Sequence, residues 1–251
     1  MTALGEQGAA AGASSPLAGR RALVTGASRG IGLAVARGLA AHGAAVAMLA
    51  RTASVLAEQA RAIGPLAHAV PCDVADAPAT VRAVRDATER LGGSPDIFVS
   101  NAGLFALARV EDADLDEIRR MVDTNLVAPF YLLRLLLPSM RAAGSGHVIT
   151  VGSIADRAAF PENGAYAATK FGARALHQVM REELRGSGVR ATLVSPGPTD
   201  TELWDAIGPD GRPGFTPRAL MLAPEAVADA VLWALTRPPR VNVDELRLSP
   251  A

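Results

Sequence analysis

Of the 25 basic residues in this 251-residue chain, one is a lysine: Lys170, four positions after Tyr166, itself one of two tyrosines. A chain that uses arginine everywhere else and keeps a single lysine points to chemistry a guanidinium cannot perform. Arginine is planar and permanently charged, whereas lysine is a compact point charge that can share its proton. Residues four apart on a helix share a face, so the ammonium reaches the same small volume as the phenol oxygen. A positive charge there favours phenolate over phenol, which suits the tyrosine to general acid/base work. The competing reading is a solvated pair on a helix surface, and the spacing alone does not choose.

A second constellation lies near the start. Thr25-Gly26-Ala27-Ser28-Arg29-Gly30-Ile31-Gly32 follows an apolar run and opens a helix-like segment. Glycines there permit a tight turn and a close backbone approach to a pyrophosphate, which then sits on free N–H groups at the helix N-terminus. Gly26, Ser28, Arg29 and Ile31 are the candidate contacts. The spacing departs from G-x-G-x-x-G, and an ordinary strand–helix turn is the alternative. The next strand candidate tests the idea, because an NAD site ends it in a carboxylate for the ribose 2′-hydroxyl and an NADP site accommodates arginine. Here it ends Leu49-Ala50-Arg51-Thr52, without an acid. Arg51, joined by Arg29, therefore points to a 2′-phosphate and to NADP(H).

The elements that must position these residues alternate along the chain. Strand candidates are 21–25, 45–50, 67–71, 96–100, 146–151, 189–195 and 243–248. Helical stretches fall near 30–42, 53–63, 77–90, 112–142, 164–186 and 223–236. Several strands are nearly continuous apolar runs, as in sheets covered on both faces. The alternation predicts an α/β fold: a doubly wound, Rossmann-type parallel sheet of about seven strands in one domain. Residues 1–17, rich in Ala, Gly and Ser, read as a flexible tail preceding a domain over 18–251. The segment 122–142 has almost no polar face, so it is either a central core helix or a subunit contact, and the subunit contact is preferred. Residues 208–217, dense in Gly and Pro, form a loop that is an inert connector or a mobile lid.

Composition narrows the function classes. Hydrophobic residues make up 49% and charged residues 20%, with zero formal net charge, so nothing points to nucleic acid or an anionic membrane. Cys72 is the single cysteine, which excludes an internal disulfide and fits a reducing compartment. It reads as a small core residue at a strand end. The four histidines show no metal-ligand spacing. Residues 1–17 lack signal-peptide character and no run approaches a membrane span, so the expected location is cytoplasmic.

With these pieces in place, the chain resembles the short-chain dehydrogenase/reductase family over residues 18–249. The motifs stand in family order: the Thr25…Gly32 loop, Asp73-Val74, Asn101-Ala102-Gly103, Asn125, Ser153, Tyr166…Lys170 and Pro196-Gly197. The resemblance implies that Asp73 and Val74 contact adenine and that Asn101, Ala102 and Gly103 lie beneath the cofactor. It implies that Asn125 interrupts a helix and holds a water linking Lys170 to solvent. Pro196 and Gly197 lead to Thr199 and Thr201, which resemble the positions fixing the nicotinamide carboxamide. Ser153, thirteen residues before Tyr166, resembles the serine that donates to the substrate oxygen. Ser100 departs from the asparagine usual in the family.

The expectation is an NADPH-dependent oxidoreductase, a carbonyl reductase or alcohol dehydrogenase acting on a ketone, aldehyde or secondary alcohol, with a small-molecule partner and a homodimeric or homotetrameric assembly. Asn125, Ser153, Tyr166 and Lys170 form its catalytic set; Tyr166 and Lys170 also face the cofactor. Phe105, Phe160, Trp204 and Phe215 are candidates for an apolar pocket. A 3-ketoacyl thioester reductase and a non-catalytic, redox-sensing NADP-binding regulator are the alternatives. The regulator predicts a damaged catalytic set, and the set here is whole.

Overall fold

The apolar runs become strands because helices cover both of their faces. In the computed structural model, which describes residues 15–251, these are β1 (Arg21–Thr25), β2 (Ala45–Ala50), β3 (Ala67–Pro71), β4 (Ile97–Ser100), β5 (Gly146–Val151), β6 (Val189–Pro196) and β7 (Glu245–Leu248). The helices are α1 (Gly30–Ala41), α2 (Ala53–Ile63), α3 (Ala77–Arg90), α4 (Leu115–Val122), α5 (Ala128–Ala142), α6 (Gly164–Glu183) and α7 (Pro224–Leu235). All strand pairings are parallel, in the order β3-β2-β1-β4-β5-β6-β7. This is the Rossmann-type doubly wound sheet that the alternation predicts.

The period-two geometry of a strand divides the core in two. In β2, Val46, Met48 and Ala50 pack with Val35 and Leu39 of α1, Leu56 of α2 and Val231 of α7. Ala47 and Leu49 face the other way, toward Ala87 of α3, Leu132 and Leu136 of α5 and Met180 of α6. Each fully buried leucine contributes about 1.5–3 kcal/mol. Truncating Leu39 or Leu136 to alanine would cost about 2–5 kcal/mol, the transfer loss plus the cavity left behind.

Local chemistry sets the helix starts. Asp76 accepts the Ala79 N–H at 2.9 Å to cap α3, and Asp114 accepts from Asp116 and Glu117 at 2.8 and 2.9 Å to cap α4. Each carboxylate satisfies N–H groups that have no partner within the helix.

Two expectations need correction. The helix expected over 112–142 begins at Leu115 and passes through a π turn over Asp123–Val127 before α5, where the Ala128 N–H reaches the Asp123 carbonyl. Within α5, Leu132 and Leu136 are buried, whereas Phe130 and Tyr131 are 53% and 43% exposed, so of the two alternatives it is not a central core helix. The expected tail falls mostly on residues 1–14, outside the described residues, but Leu17 belongs to the folded body. It is 2% exposed and its N–H donates to the His42 carbonyl at 2.9 Å. Among the described residues, no helix is long and apolar enough to cross a membrane.

Candidate functional site

The strand order reverses direction at the junction of β1 and β4, and there the loops leaving their carboxyl ends part to open a crevice. Thr25 ties the two ends together. Its Oγ1, on a residue 1% exposed, accepts the N–H groups of Asn101 and Ala102, both at 3.0 Å. The Asn101 side chain returns the link, donating to the Thr25 carbonyl at 2.9 Å and the Gly26 carbonyl at 3.3 Å. Above this knot lies a cleft of about 970 Å³.

One arm of the cleft is built for an anion. Gly26 has φ +65°, and a Cβ on Gly32 would lie 2.2 Å from the Gly26 carbonyl oxygen, so neither position accepts a side chain. The glycines thus fold the loop tightly onto the start of α1. The residue preceding that helix, Arg29, makes no side-chain cap, and the first turn holds no acid. Its N–H groups are left for a ligand, as a pyrophosphate requires. Arg29 and Arg51 are exposed and line the same arm with Asp73 and Val74. Neither arginine has an ion-pair partner among the described residues, and β2 ends at Ala50 with no carboxylate beside it. The Asp73 carboxylate is turned onto its own loop, accepting the Ala75 N–H at 3.0 Å.

The opposite arm is formed by the ends of β5 and β6 and by α6. Lys170, 7% exposed, donates from Nζ to the Val151 carbonyl at 3.1 Å and stands 5.6 Å from the centre of the Tyr166 ring. Tyr166 is half-buried and lines the cleft with Ser153. The Ser153 hydroxyl accepts the Ala155 N–H at 3.1 Å, which leaves its proton free to point elsewhere. Thr199 and Thr201, buried after β6, line the cleft beside Pro196 and Gly197. Phe105 meets the Tyr166 ring edge-on, with centroids 4.8 Å apart.

Every site residue expected from the sequence lines this one cleft except Asn125. That residue lies behind it, and its side chain is committed: Oδ1 accepts the Leu104 N–H at 2.7 Å, while Nδ2 donates to the Leu104 carbonyl at 2.9 Å and Thr169 Oγ1 at 3.0 Å. Asn125 therefore pins the loop after β4 to α6. A second cavity of about 20 Å³ lies between Asn125, Lys170, Ser100 and His177, room for about one water. His177 is 3% exposed; burial, followed by the charge of Arg181, pushes its pKa down to about 4. Its Nε2 has no partner among the described residues.

Sequence reasoning missed a buried ion network beside Ser153. Asp156, 1% exposed, accepts from Arg157 Nε at 2.7 Å, Arg174 Nη1 at 3.4 Å and Ser195 Oγ at 2.5 Å. It also accepts the Ser153 N–H at 3.4 Å, and Arg157 continues to Glu245 of β7. The signal was present: Ser153-x-x-Asp156 is a capping-box pattern, and here it closes a 3₁₀ turn over Ile154–Asp156. Glu162 and Arg212 were also missed. They pair at 2.6 Å across the cleft, fifty residues apart, and no local pattern announces such a meeting.

The loop 208–217 lies at the cleft, contributing Arg212 and Phe215 to its wall. Phe160 and Trp204 line it as well. Cys72 is a buried thiol whose pKa is raised, first by burial, as suits a core residue. Among the described residues, no group of three or more His, Cys, Asp or Glu is arranged to hold a metal.

Comparison with known proteins identifies the family and the fold. The short chain dehydrogenase family profile matches residues 20–211. The chain is 39% identical over 244 residues to the glycine betaine reductase of Emericella nidulans, covering 94% of this chain but 19% of that protein. It is 35% identical over 238 residues to an uncharacterized oxidoreductase of Staphylococcus haemolyticus, covering 93% of this chain and 98% of that protein. A metagenomic short-chain oxidoreductase in complex with NADP superimposes with a TM-score of 0.81 at 32% identity, over 94% of this chain and 99% of the other. The chain is an oxidoreductase of the short chain dehydrogenase family.

Proposed function

We propose that this oxidoreductase is an NADP(H)-dependent carbonyl reductase, reversible as an alcohol dehydrogenase, acting on a small ketone, aldehyde or alcohol. The observation that carries the reading is the convergence of Ser153, Tyr166 and Lys170 on the cleft whose other arm offers an uncapped helix N-terminus and two unpaired arginines. Bound nicotinamide supplies or accepts the hydride. The chain's own residues do the rest. Ser153 and Tyr166 grip the carbonyl oxygen and stabilise the negative charge that develops there. In the reducing direction Tyr166 would protonate that oxygen, and Lys170 would hold the nicotinamide ribose and relay a replacement proton to Tyr166 from the small cavity beside Asn125.

On the cofactor side, the backbone of Gly26, Ser28 and Ile31 would receive the pyrophosphate. Arg29 and Arg51 would take the 2′-phosphate, bidentate recognition that suits a guanidinium. Asp73 and Val74 would flank the adenine; Asn101, Ala102 and Gly103 would support the middle of the cofactor. Thr199 and Thr201, set by Pro196-Gly197, would fix the carboxamide. The half-exposed Phe130 and Tyr131 of α5, with Phe171 and Val179 of α6 at 45% and 56% exposed, would be covered by a second copy in a dimer or tetramer. The location in keeping with this reading is the cytoplasm.

The test is oxidation of NADPH and of NADH across a panel of ketones and aldehydes. Turnover with NADPH preferred supports the reading. Tight NADPH binding without turnover of any substrate would favour a redox-sensing regulator instead. Turnover confined to 3-ketoacyl thioesters would move the substrate class.

A further inference from the structure

The substrate arm of the cleft carries charge only in a form that cancels. Arg29, Arg51 and Asp73 line the cofactor arm. Glu202 sits beside that arm, its Oε2 3.6 Å from where a Cβ on Gly30 would stand. Lys170 is tied to the Val151 carbonyl. The charged side chains that remain on the cleft wall are Glu162 and Arg212, joined Oε2 to Nη2 at 2.6 Å. Each is the other's ion-pair partner, and the two are equally open to solvent, at 36% and 37%.

Most of the surface around that pair is apolar. Phe105 meets the Tyr166 ring with centroids 4.8 Å apart, Trp204 meets Phe105 at 5.2 Å and Phe215 meets Trp204 at 6.3 Å, all edge to face. Leu107, Phe160 and Leu203 line the cleft with them. Trp204 uses its polar atom within the protein, its indole N–H donating to the Thr199 carbonyl at 3.0 Å. Asn163, which also lines the cleft, is 8% exposed and brings a carboxamide without charge. The Arg212 guanidinium lies 4.7 Å from the Phe215 ring centroid, so the neutralised pair adjoins the far end of a ring surface that begins at the catalytic tyrosine.

A charged ligand gains nothing on such a wall. To pair with Glu162 or Arg212 it must part them, so one ion pair replaces another while the ligand loses its water. Left unpaired against the rings, it bears the full cost of desolvation. An apolar group instead releases water from itself and from the aromatic surface. We infer that the substrate is an uncharged ketone, aldehyde or alcohol with an apolar body that packs on Phe105, Trp204 and Phe215, and that the Glu162–Arg212 pair keeps the wall from selecting either sign of charge. The inference rests on the oxidoreductase reading of the cleft. In the reducing direction the carbonyl carbon gains hydride from reduced nicotinamide, the oxygen gains the Tyr166 proton, and the apolar body makes and breaks no bond.

The test places three end groups of matched size on one reacting chain. The compounds are 6-methylheptan-2-one, the anion 5-oxohexanoate and the cation 5-(dimethylamino)pentan-2-one, protonated at neutral pH. Each is also tried as the aldehyde with hydrogen in place of the methyl group. Steady-state rates are measured with NADPH and, separately, with NADH. The expected result is a kcat/KM for the isopropyl compound about tenfold or more above both charged ones, since only they must shed the water around a charge. Arg212→Gln leaves the Glu162 carboxylate without its partner and should raise the cation relative to the neutral compound. Glu162→Gln leaves the guanidinium and should raise the anion instead. The double variant should return to the neutral preference. The two single variants read the same cancellation from opposite sides, so either serves if the other fails to fold. Equal kcat/KM across the end groups, a preference for a charged one, or turnover of other carbonyl compounds but none of these overturns this inference and leaves the oxidoreductase reading standing. Absence of turnover with every carbonyl compound overturns both.

Discussion

Replacing Asp156 by asparagine should separate what positions Ser153 from what performs chemistry. The change keeps the shape and removes the charge that faces Arg157 and Arg174. The carboxylate is fully buried, whereas the arginines are 20% and 24% exposed at their side chains. Breaking a buried ion pair by removing one partner costs about 3–5 kcal/mol. Two features lower that figure here: the guanidiniums reach water in part, and Glu245 still faces both of them. A loss of about 2–3 kcal/mol follows, or roughly 4–12 °C in melting temperature for a domain of this size. The introduced amide has one oxygen for two edges: turned to the guanidiniums on Oδ1, it sets an NH₂ against the Ser153 N–H, and the Ser195 hydroxyl loses a charged acceptor. Because the Ser153 N–H bonds to the same carboxylate, the turn carrying the catalytic hydroxyl should loosen, and kcat should fall more than KM rises. A companion variant makes Asp156, Arg157, Arg174 and Glu245 all leucine or methionine. Apolar replacement of a whole buried network is often neutral for stability, so that variant should regain melting temperature without regaining kcat. An Asp156→Asn protein that melts within about 1 °C of the parent, on the same scale of degrees per kcal/mol, with unchanged kcat would refute the reasoning.

Other outcomes follow from the same structure. Ala50→Asp with Arg51→Ala should shift cofactor preference from NADPH toward NADH by about tenfold or more, the worth of a charge-assisted contact; equal affinities in the parent, measured by fluorescence titration, would sink the assignment. Lys170→Arg should lower kcat at least about a hundredfold in a protein shown by melting to be folded, and Tyr166→Phe should lower it further while retaining NADPH. Burial pushes His147 and His177 down to about 3 and about 4, with nearby arginines adding to it; the unfolded chain then binds protons that the folded chain refuses. Stability should be constant above about pH 6.5 and fall as pH drops toward 4, by roughly 3 kcal/mol per histidine, and His177→Gln should flatten the urea-midpoint profile in that range. Light scattering at micromolar concentration should show a dimer or tetramer, and a clean monomer would leave the Phe130–Tyr131 face without the proposed cover.

The sheet was legible because its signal is redundant. Several strands are apolar runs, the first six are each followed by a helical stretch, and their alternation leaves few topologies. The boundary of β3, Ala67–Pro71, is the expected one to the residue, since Pro71 and the following Cys72-Asp73 turn end it chemically. The single helix expected from 112 to 142 was less legible, because hydrophobic periodicity does not distinguish an α turn from the π turn that lets Asn125 face Leu104 and Thr169. The cofactor arm could be read from glycine spacing and from a missing acid, both local features. The substrate arm could not: Glu162 meets Arg212 only because the loops after β5 and β6 converge, and that contact is a property of the sheet order. Asp156 falls between these cases, with a local capping pattern that shows its bond to Ser153 but not its arginines.

The lone lysine joins the two kinds of reasoning. Its ammonium has three donors, and one of them is given to the Val151 carbonyl at 3.1 Å in surroundings that leave the residue 7% exposed. Two donors remain for a ligand and for the small cavity beside Asn125, which is what a proton-sharing group between a sugar hydroxyl and a water needs. A guanidinium at this position would bring five donors to a site that shows one acceptor, and each buried donor left unpaired costs about 1–3 kcal/mol. It would also fill the volume of about 20 Å³ through which the proton is proposed to pass. Charge alone is therefore not what the position requires, and a chain that writes arginine for charge wherever charge suffices had reason to write lysine once.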